Sequence, residues 1–365
     1  MMELSATSEL LPVYGERNVA VVCSTSDEYA LYAGVMIASL IRHASAEWGY
    51  DIIVLEERLS EERKRLLKEL ELLAGAGNVS IRMCHVEGMA EELLVKSGFA
   101  KETYFRLLLP TLFADYDKLL YLDVDMVVQS DVAQLYHTEL GDMWVGACRD
   151  AAQAAMQLWQ MEQPDYYRNE LQLNPLEEYF NAGVLLLNLR RMREQHVPRL
   201  FMEALATLPE PRWMDQDILN MVCRGHVLYL NTAWNRLPKY SCLKNDFSPE
   251  LQGAFAPDAA IPGIIHYLGP TKPWICPNIN GNHDEWWTVA QGAPFYVEIC
   301  RMAELPAQQW LAARKARRPR IWLQYAKYRL FALLALGKKR SYCRARVKSL
   351  KAYLQEDAIL TQPVL

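Results

Sequence analysis

The sequence lacks the features that would assign it to the zinc-binding, secreted or membrane-spanning classes of protein. Its eight cysteines are scattered, and no pair has the two-residue spacing of a common zinc site. The N-terminal residues contain no basic segment followed by a long apolar stretch, and the chain has no run of about 20 apolar residues. We therefore expect neither a signal peptide nor a spanning helix, and we predict a cytoplasmic protein.

Acidic residues are missing from one long C-terminal segment. Residues 308–351 contain 14 of the 39 lysines and arginines and none of the 44 acidic residues. The body of the chain is correspondingly acidic. This asymmetry indicates a tail that faces an anionic surface.

The remaining composition is that of an ordinary soluble protein. The chain has 365 residues, of which 51% are hydrophobic and 23% charged, enough for one large α/β domain with additions or for two domains. Strand-like apolar runs alternate with helical segments at 18–24, 29–43, 51–55, 60–73 and 78–85. The alternation predicts a parallel sheet with helices on both faces, whose ligands bind beyond the carboxyl ends of the strands.

One apolar run ends in two carboxylates. Residues 118–128 read Lys-Leu-Leu-Tyr-Leu-Asp-Val-Asp-Met-Val-Val, which is typical of a buried strand. Asp123 and Asp125 are two residues apart, so we expect them on one face of it. Two close carboxylates are costly without a cation between them, and their oxygens suit Mg²⁺ or Mn²⁺. Capping of a turn, or pairing with an arginine, is the alternative interpretation.

Five separated signatures occur in an order that closely resembles one enzyme family. They are Thr25-Ser-Asp-Glu-Tyr29, Tyr104-Phe-Arg106, Leu122-Asp-Val-Asp125, Phe180-Asn-Ala-Gly-Val-Leu-Leu-Leu-Asn188 with Asp215-Gln-Asp-Ile-Leu-Asn220, and His266-Tyr-Leu-Gly-Pro-Thr-Lys-Pro-Trp274. Over residues 18–290 the chain resembles the family 8 retaining glycosyltransferases, which include bacterial lipopolysaccharide galactosyl- and glucosyltransferases. The resemblance implies the GT-A nucleotide-sugar-binding fold, a Rossmann-like α/β fold with a mixed sheet flanked by helices. It also implies a UDP-galactose or UDP-glucose donor and a Mn²⁺ (or Mg²⁺) ion.

The resemblance further implies roles for individual residues. The metal ligands would be Asp123, Asp125 and His266, and the catalytic or sugar-holding residues would be Asn181, Asp215 and Gln216. Donor-binding positions would be Thr25, Ser26, Tyr29, Arg106, Asp123, Val124, Asp125, Gly269 and Lys272. Two other Asp-x-Asp pairs do not end an apolar strand. Asp115 and Asp117 are interpreted as a surface turn, and Asp215 and Asp217 as a helix start at the rim of the sugar pocket.

The loop after the first strand departs from the family pattern. The family often has an aspartate where this chain has Ser26, and an asparagine where it has Glu28. Contacts to uracil or ribose are therefore expected to be arranged differently. Tyr29 keeps an aromatic ring that could stack on uracil.

The basic tail has the pattern of an interfacial helix. The segment 321–336 is apolar over much of its circumference but contains Lys327 and Arg329, so it is too interrupted to span a bilayer. We predict that it lies on an anionic membrane surface. A helix packed on the catalytic domain and an RNA-binding segment are the alternatives, and the acidic body disfavours nucleic acid.

The sequence thus predicts a metal-dependent retaining transferase that moves galactose or glucose from a UDP-sugar to a glycan acceptor, such as lipopolysaccharide or a related cell-surface glycan. The predicted parts are a lead-in at 1–17, a catalytic domain at 18–290 and a basic helical region at 291–365. The predicted location is the inner face of the cytoplasmic membrane. A nucleotidyltransferase is an alternative, but the segment after the first strand lacks a triphosphate cradle rich in glycine and basic residues. A non-catalytic nucleotide-sugar-binding or membrane scaffold module is another.

Overall fold

The structure is a computed structural model of the single chain. It describes residues 10–86, 101–158, 165–174, 176–208, 210–238, 249–258, 261, 263–269, 272–276 and 283–334, with scattered positions between 340 and 354. The chain divides into two compact units, one of residues 1–153 and 164–266, the other of residues 154–163 and 267–365. The domain boundaries expected from the sequence, at residues 17 and 290, stay a prediction.

The first unit is built on a seven-stranded sheet and a two-stranded ribbon. The strands are β1 (Asn18–Ser24), β2 (Gly49–Glu56), β3 (Val79–His85), β4 (Leu119–Leu122), β5 (Met126–Val128), β6 (Val145–Arg149), β7 (Phe180–Leu187), β8 (Val227–Tyr229) and β9 (Ile264–His266). The order in the large sheet is β3-β2-β1-β4-β7-β6-β8, and β5 and β9 form the ribbon. The first three strands appear where the sequence predicts them.

Strand β7 runs against its neighbours on both sides. β1 pairs in parallel with β2 and β4, whereas β7 is antiparallel to both β4 and β6. The sheet is therefore mixed, which confirms what the resemblance implies. The alternation of strands and helices predicts a parallel sheet, and this prediction is wrong for β7. The pattern of a buried apolar strand does not indicate in which direction the strand runs. As a result, the amino-terminal end of β7 lies at the edge where β1 and β4 end.

Helices flank the sheet. α1 (Ala30–His43) is buried along nearly its whole length, and the Ser60 side chain caps α2 (Glu61–Glu69) by accepting a hydrogen bond from the Arg63 N–H. The other α-helices of the described residues are α3 (Leu109–Leu112), α4 (Ala133–Tyr136), α5 (Ala151–Leu158), α6 (Asp165–Asn169), α7 (Leu189–Glu194), α8 (Val197–Thr207), α9 (Asp215–Val222), α10 (Pro249–Phe255), α11 (Asp284–Gln291) and α12 (Tyr296–Leu334). Short 3-10 helices span Gly15–Arg17, Leu70–Leu73, Lys101–Leu108 and Thr232–Asn235.

The central strands are apolar because both faces of the sheet are covered. Every residue of β1, β2 and β7 is buried, as expected of strands between two layers of helices. Asp51 of β2 is a polar exception. Its carboxylate accepts two hydrogen bonds from Arg82, at 2.9 and 2.7 Å, and one from the Tyr116 hydroxyl at 2.7 Å. These bonds offset the cost of burying the charge.

The two-stranded ribbon determines which residue lies next to the acid pair. β5 begins directly after Asp125 and pairs antiparallel with β9, in a register that places Met126 opposite His266. The His266 N–H also donates to the Arg236 carbonyl oxygen at 2.9 Å. A histidine far away in sequence is thereby held beside the end of β4.

The second unit contains the C-terminal helix. α12 comprises 39 residues, and its exposed apolar side chains include Trp322, Leu323, Leu330, Phe331, Leu333 and Leu334. None of the described helices combines the length and the apolar character that crossing a bilayer requires. The interfacial role of the segment 321–336 stays a prediction, and its positions 335 and 336 lie outside the described residues.

Candidate active site

Asp123, Asp125 and His266 converge at the edge of the sheet where β4 ends. The His266 Nε2 atom lies 3.1 Å from Asp125 Oδ1 and 3.9 Å from Asp123 Oδ2. One ligand atom from each of the three residues lies within 4.8 Å of the others. Val124, between the two acids, is half-buried. The geometry is that of a group able to hold a metal ion.

Arg106 bridges two carboxylates of the site. It lies in the 3-10 helix Lys101–Leu108 and is only 6% exposed. Its Nε atom is 2.8 Å from Asp215 Oδ2, and its Nη2 atom is 3.1 Å from Asp123 Oδ1. Burial alone would lower the pKa of Arg106, but the two carboxylates raise it above its ordinary value, so the guanidinium stays charged. The contact of Arg106 with a donor stays a prediction.

Asp215 and Gln216 begin helix α9. Met214, which precedes them, has a φ of 51°, a strained conformation for a residue other than glycine. Asp215 is 2% exposed. Burial raises the pKa of Asp215 to about 7 although Arg106 opposes the rise, and Asp123 adds to it. Asp215 is thus a carboxyl group whose charge state changes near neutral pH.

The second acid of this helix fixes the turn before it. Asp217 accepts hydrogen bonds from the hydroxyls of Tyr166 and Tyr179, at 2.7 and 2.6 Å, and from the Trp213 N–H at 2.8 Å. The helix start predicted at this pair of acids is confirmed. A place for Asp215 at the rim of a sugar pocket stays a prediction.

A chain of hydrogen bonds connects Gln216 with His266. Asp150 Oδ2 accepts from Asn181 Nδ2 and from Gln216 Nε2, both at 3.0 Å. Asn181 Oδ1 accepts from Asn235 Nδ2 at 2.8 Å, and Asn235 Oδ1 lies 2.9 Å from His266 Nδ1. Three of the predicted residues therefore belong to one connected polar group.

Two members of this group, Asp150 and Asn235, are not among the residues predicted from the sequence. Asp150 directly follows β6, whose carboxyl end lies at the same edge as that of β4, and this position is a signal for a functional residue. Asn235 ends a 3-10 helix. No motif or spacing in the sequence distinguishes it from the other polar residues of a loop-rich segment.

Gly183 allows β7 to approach the imidazole. A Cβ atom at this position would overlap His266 Cε1 and lie 2.8 Å from His266 Nδ1. Any side chain there would displace the ring. The glycine thus leaves the space in which His266 faces the acids.

The loop after β1 reaches the same edge as Asp123, because β1 and β4 are parallel neighbours. Thr25 is buried, and the Ser26 carbonyl oxygen accepts a hydrogen bond from the Tyr29 N–H at 3.1 Å. The half-buried Tyr29 ring meets Tyr32 edge-on, with 5.5 Å between ring centroids. Contacts of Thr25, Ser26 and Tyr29 with uridine stay predictions.

Gly269 and Lys272 belong to the second unit. Gly269 has a φ of 76°, a left-handed conformation that glycine adopts readily. The Lys272 Nζ group donates to the Tyr267 carbonyl oxygen at 3.1 Å. The two residues between positions 269 and 272 lie outside the described part of the chain, and contact with a diphosphate stays a prediction.

The remaining Asp-x-Asp pair is an exposed turn. Asp115 and Asp117 are both exposed, and Asp117 faces Arg190 and Arg193 at 3.7 and 4.0 Å. The prediction of a surface turn is confirmed.

Comparison with known proteins gives consistent results for sequence and for structure. The model of the family described as Glycosyl transferase family 8 matches residues 20–276. A lipopolysaccharide 1,2-glucosyltransferase of Escherichia coli is 27% identical over 253 residues, which cover 68% of this chain and 70% of that protein.

Two solved structures are similar to much of the chain. The apo structure of the bifunctional glycosyltransferase WbbM is similar with a TM-score of 0.70 and 29% identity, over 80% of this chain but only 53% of the WbbM chain. The galactosyltransferase LgtC, in complex with donor and acceptor sugar analogues, is similar with a TM-score of 0.63 and 28% identity, over 76% of this chain and 96% of that chain. The chain therefore belongs to glycosyltransferase family 8 and has the GT-A fold.

Proposed function

We propose that this glycosyltransferase moves galactose or glucose from a UDP-sugar to a glycan acceptor, in a metal-dependent reaction that retains the anomeric configuration. The observation that carries the proposal is the convergence of Asp123, Asp125 and His266, joined through Arg106 to Asp215. The names of the similar proteins, a lipopolysaccharide glucosyltransferase and a galactosyltransferase, support a hexose donor and a lipopolysaccharide or related cell-surface glycan as acceptor.

The three converging residues fit a divalent ion such as Mn²⁺ or Mg²⁺. Two carboxylates and one imidazole form a suitable ligand set for Mn²⁺. Among the described residues, His266 Nε2 is buried without a hydrogen-bond partner, although it faces the carboxylates. Native proteins rarely bury such an atom unsatisfied. When bound, the ion would act as a Lewis acid on the donor diphosphate and stabilise the charge of the leaving UDP.

Asp215, Gln216 and Asn181 would form the hexose side of the site. The ionised Asp215 carboxylate would stabilise the positive charge that develops at the anomeric carbon. Arg106 would hold that carboxylate in place, since its Nε atom lies 2.8 Å from Asp215 Oδ2. The polar groups of Gln216 and Asn181 would orient the hexose hydroxyls.

The acceptor is proposed to attack on the same face from which UDP leaves. Gln216 is a poor nucleophile because its amide is uncharged. Both ends of that amide are also engaged, since Oε1 accepts from the Ala182 N–H at 2.9 Å and Nε2 donates to Asp150 at 3.0 Å. The leaving phosphate would take the acceptor proton. Double displacement is the alternative route, and a trapped covalent sugar adduct on the protein would establish it.

The nucleotide would be held by the remaining predicted residues. Thr25, Ser26 and Tyr29 are proposed to bind uridine, with the Tyr29 ring stacked on the base. Gly269 and Lys272 are proposed to contact the diphosphate, because a glycine lets the backbone approach phosphate and a lysine supplies a point charge.

The C-terminal helix is proposed to attach the enzyme to the inner face of the cytoplasmic membrane. Exposed apolar residues such as Trp322 and Leu323 alternate with basic ones such as Lys327 and Arg329. Each basic residue near an anionic leaflet contributes on the order of 1 kcal/mol to binding. Membrane attachment would bring the enzyme to the surface that carries a lipid-linked acceptor.

A donor screen tests the proposed function. UDP release by purified protein would be measured across a panel of UDP-sugars, with and without Mn²⁺ and acceptor extract. We expect release from UDP-galactose or UDP-glucose, and only with metal present. Absence of turnover under every condition would support a non-catalytic binding module. Pyrophosphate release from a nucleoside triphosphate would support a nucleotidyltransferase.

A further inference from the structure

A buried chain of hydrogen bonds ends on the imidazole nitrogen that faces away from the acid pair. It begins at Asp150, passes through Asn181 and Asn235, and reaches His266 Nδ1, with distances of 3.0, 2.8 and 2.9 Å. These residues are between 1% and 4% exposed. Asp150 and Asn235 have no part in the transfer as proposed above, so their burial beside the site calls for a physical reason.

Backbone N–H groups fix the orientation of the first side chains in this chain. The Gly183 N–H donates to Asn181 Oδ1 at 3.0 Å, so that atom is the oxygen and Asn181 Nδ2 faces Asp150. The Asp150 carboxylate accepts from the N–H groups of Ala152 and Gln153, at 2.8 and 2.9 Å. An amide NH₂ group can only donate hydrogen bonds, so Asn181 Nδ2 is the donor to Asp150 Oδ2.

The orientation of Asn235 determines which imidazole nitrogen of His266 carries the proton. Because Asn181 Oδ1 is an acceptor, Asn235 must offer it the Nδ2 group. Asn235 Oδ1 then faces His266 Nδ1, and a carbonyl oxygen requires a proton on that nitrogen. The nitrogen left with a lone pair in the neutral ring is Nε2, which lies 3.1 Å from Asp125 Oδ1.

We propose that Asn235, anchored through Asn181 to Asp150, is a positioning residue that keeps a proton on His266 Nδ1 and thereby presents Nε2 to the divalent ion. The inference rests on the proposed function, which assigns a metal ion to this histidine and the acid pair. An outer hydrogen-bond partner of a metal-binding histidine commonly fixes its tautomer, and its loss weakens metal binding by roughly 10–100-fold.

One anion would then orient both parts of the site. The Asp150 carboxylate holds Gln216 Nε2 at the same distance, 3.0 Å, as Asn181 Nδ2. Asp150 thus holds Gln216 directly, and it holds His266 through Asn181 and Asn235. This arrangement explains why a carboxylate is buried at the end of β6.

Nitrogen NMR of protein with ¹⁵N-labelled histidine tests the proton position. Spectra would be recorded at about pH 8, above the ordinary histidine pKa, and His266 would be assigned from a His266→Gln variant. Asn235→Leu removes the amide at similar side-chain size. The matched control is Asn78→Leu. The Asn78 amide also donates two partly buried hydrogen bonds, at 2.7 and 2.6 Å, but Asn78 directly precedes β3 and is not part of the site. Mn²⁺ affinity would be measured by electron paramagnetic resonance.

We expect the wild type to show a proton on Nδ1 of His266. Asn235→Leu should lose that signature and bind Mn²⁺ roughly 10–100-fold more weakly, while Asn78→Leu keeps both properties. A proton on Nε2 alone in the wild type, or unchanged signature and affinity in folded Asn235→Leu, would overturn the proposal. If Asn235→Leu does not fold, Asn235→Ser would be tested in its place. Failure of the wild type to bind Mn²⁺ would instead contradict the proposed function.

Discussion

At the scale of single residues, burial makes the charge of Asp215 depend on pH near neutrality. Asp215 is almost fully enclosed, and burial raises its pKa to about 7 in spite of the neighbouring Arg106. An ionised Asp215 therefore costs stability in the folded protein. In the proposed reaction the ionised carboxylate would lie beside the anomeric carbon and stabilise its positive charge.

Replacing Asp215 with asparagine should flatten the pH dependence of the stability of the metal-free protein between about pH 4 and pH 8. The pKa of this carboxyl is raised from 3.8 to about 7 on folding, so the stability of the wild type falls as the pH rises through that window and then stays low. Asparagine has no such dependence. Thermal unfolding of both proteins across this pH range measures the difference, and an equally steep fall in the stability of the variant would contradict it.

Replacing Gln216 with glutamate should destabilise the protein at neutral pH. The new carboxyl would meet Asp150 Oδ2 where an amide now donates at 3.0 Å, and two such groups cannot both ionise easily. We expect a cost of about 1–3 kcal/mol at pH 8 that shrinks on acidification, because the folded pair retains a proton that the unfolded chain releases. Gln309→Glu, on an exposed position of α12, is the control. Equal pH profiles for the two variants would refute this account.

At the scale of elements, the order of the motifs made the convergence of the site residues predictable. It did not make the pairing of the strands predictable. Asp123, Asp125 and His266 each adjoin a recognisable apolar run, so their types and order carry information. The reversed direction of β7 could not be predicted, because the pattern of a buried strand is the same in either direction. The role of Asn235 could not be predicted either, since it arises from contacts between segments far apart in sequence.

Replacing Gly183 with alanine should displace the His266 imidazole from the acid pair. The added Cβ atom would overlap the His266 ring, so the imidazole must move away from the acids. We expect a loss of Mn²⁺ affinity of about 10-fold or more with the fold retained. Gly146→Ala, in neighbouring β6, is the control because the atoms nearest to its Cβ atom would be aliphatic ones of Leu140, Leu230 and Leu186. Similar Mn²⁺ affinity in the two variants would show that the packing of Gly183 against His266 is unimportant.

At the scale of the whole molecule, charge is segregated along the chain. The segment 308–351 has 14 basic and no acidic residues, although the net charge of the chain is −5. We propose that this tail binds an anionic surface, whereas the acidic remainder of the chain would be repelled by it. The proposed acceptor is itself displayed on a membrane, so attachment and acceptor binding would occur on the same surface.

Removing the residues after Leu305 should release the protein from membranes. The deletion takes away the basic residues of the tail and the exposed apolar side chains of α12, which together supply the proposed interfacial binding. Sedimentation with anionic vesicles measures the effect, and vesicles of neutral lipid provide the control. If the truncated and the full-length chain sediment equally with anionic vesicles, the tail is not the membrane anchor.

Sugar transfer is proposed to depend on a metal ion held by the acid pair at the end of β4. The most direct measurement is the rate of UDP release from UDP-hexose as Mn²⁺ is titrated into the metal-free wild type, Asp125→Asn and Asp115→Asn. Asp115 is the matched control because it belongs to the exposed Asp-x-Asp turn. We predict metal-dependent release by the wild type and by Asp115→Asn, and a rate lower by about 100-fold or more for Asp125→Asn. Full activity without metal, or an unimpaired Asp125→Asn, would contradict the claim.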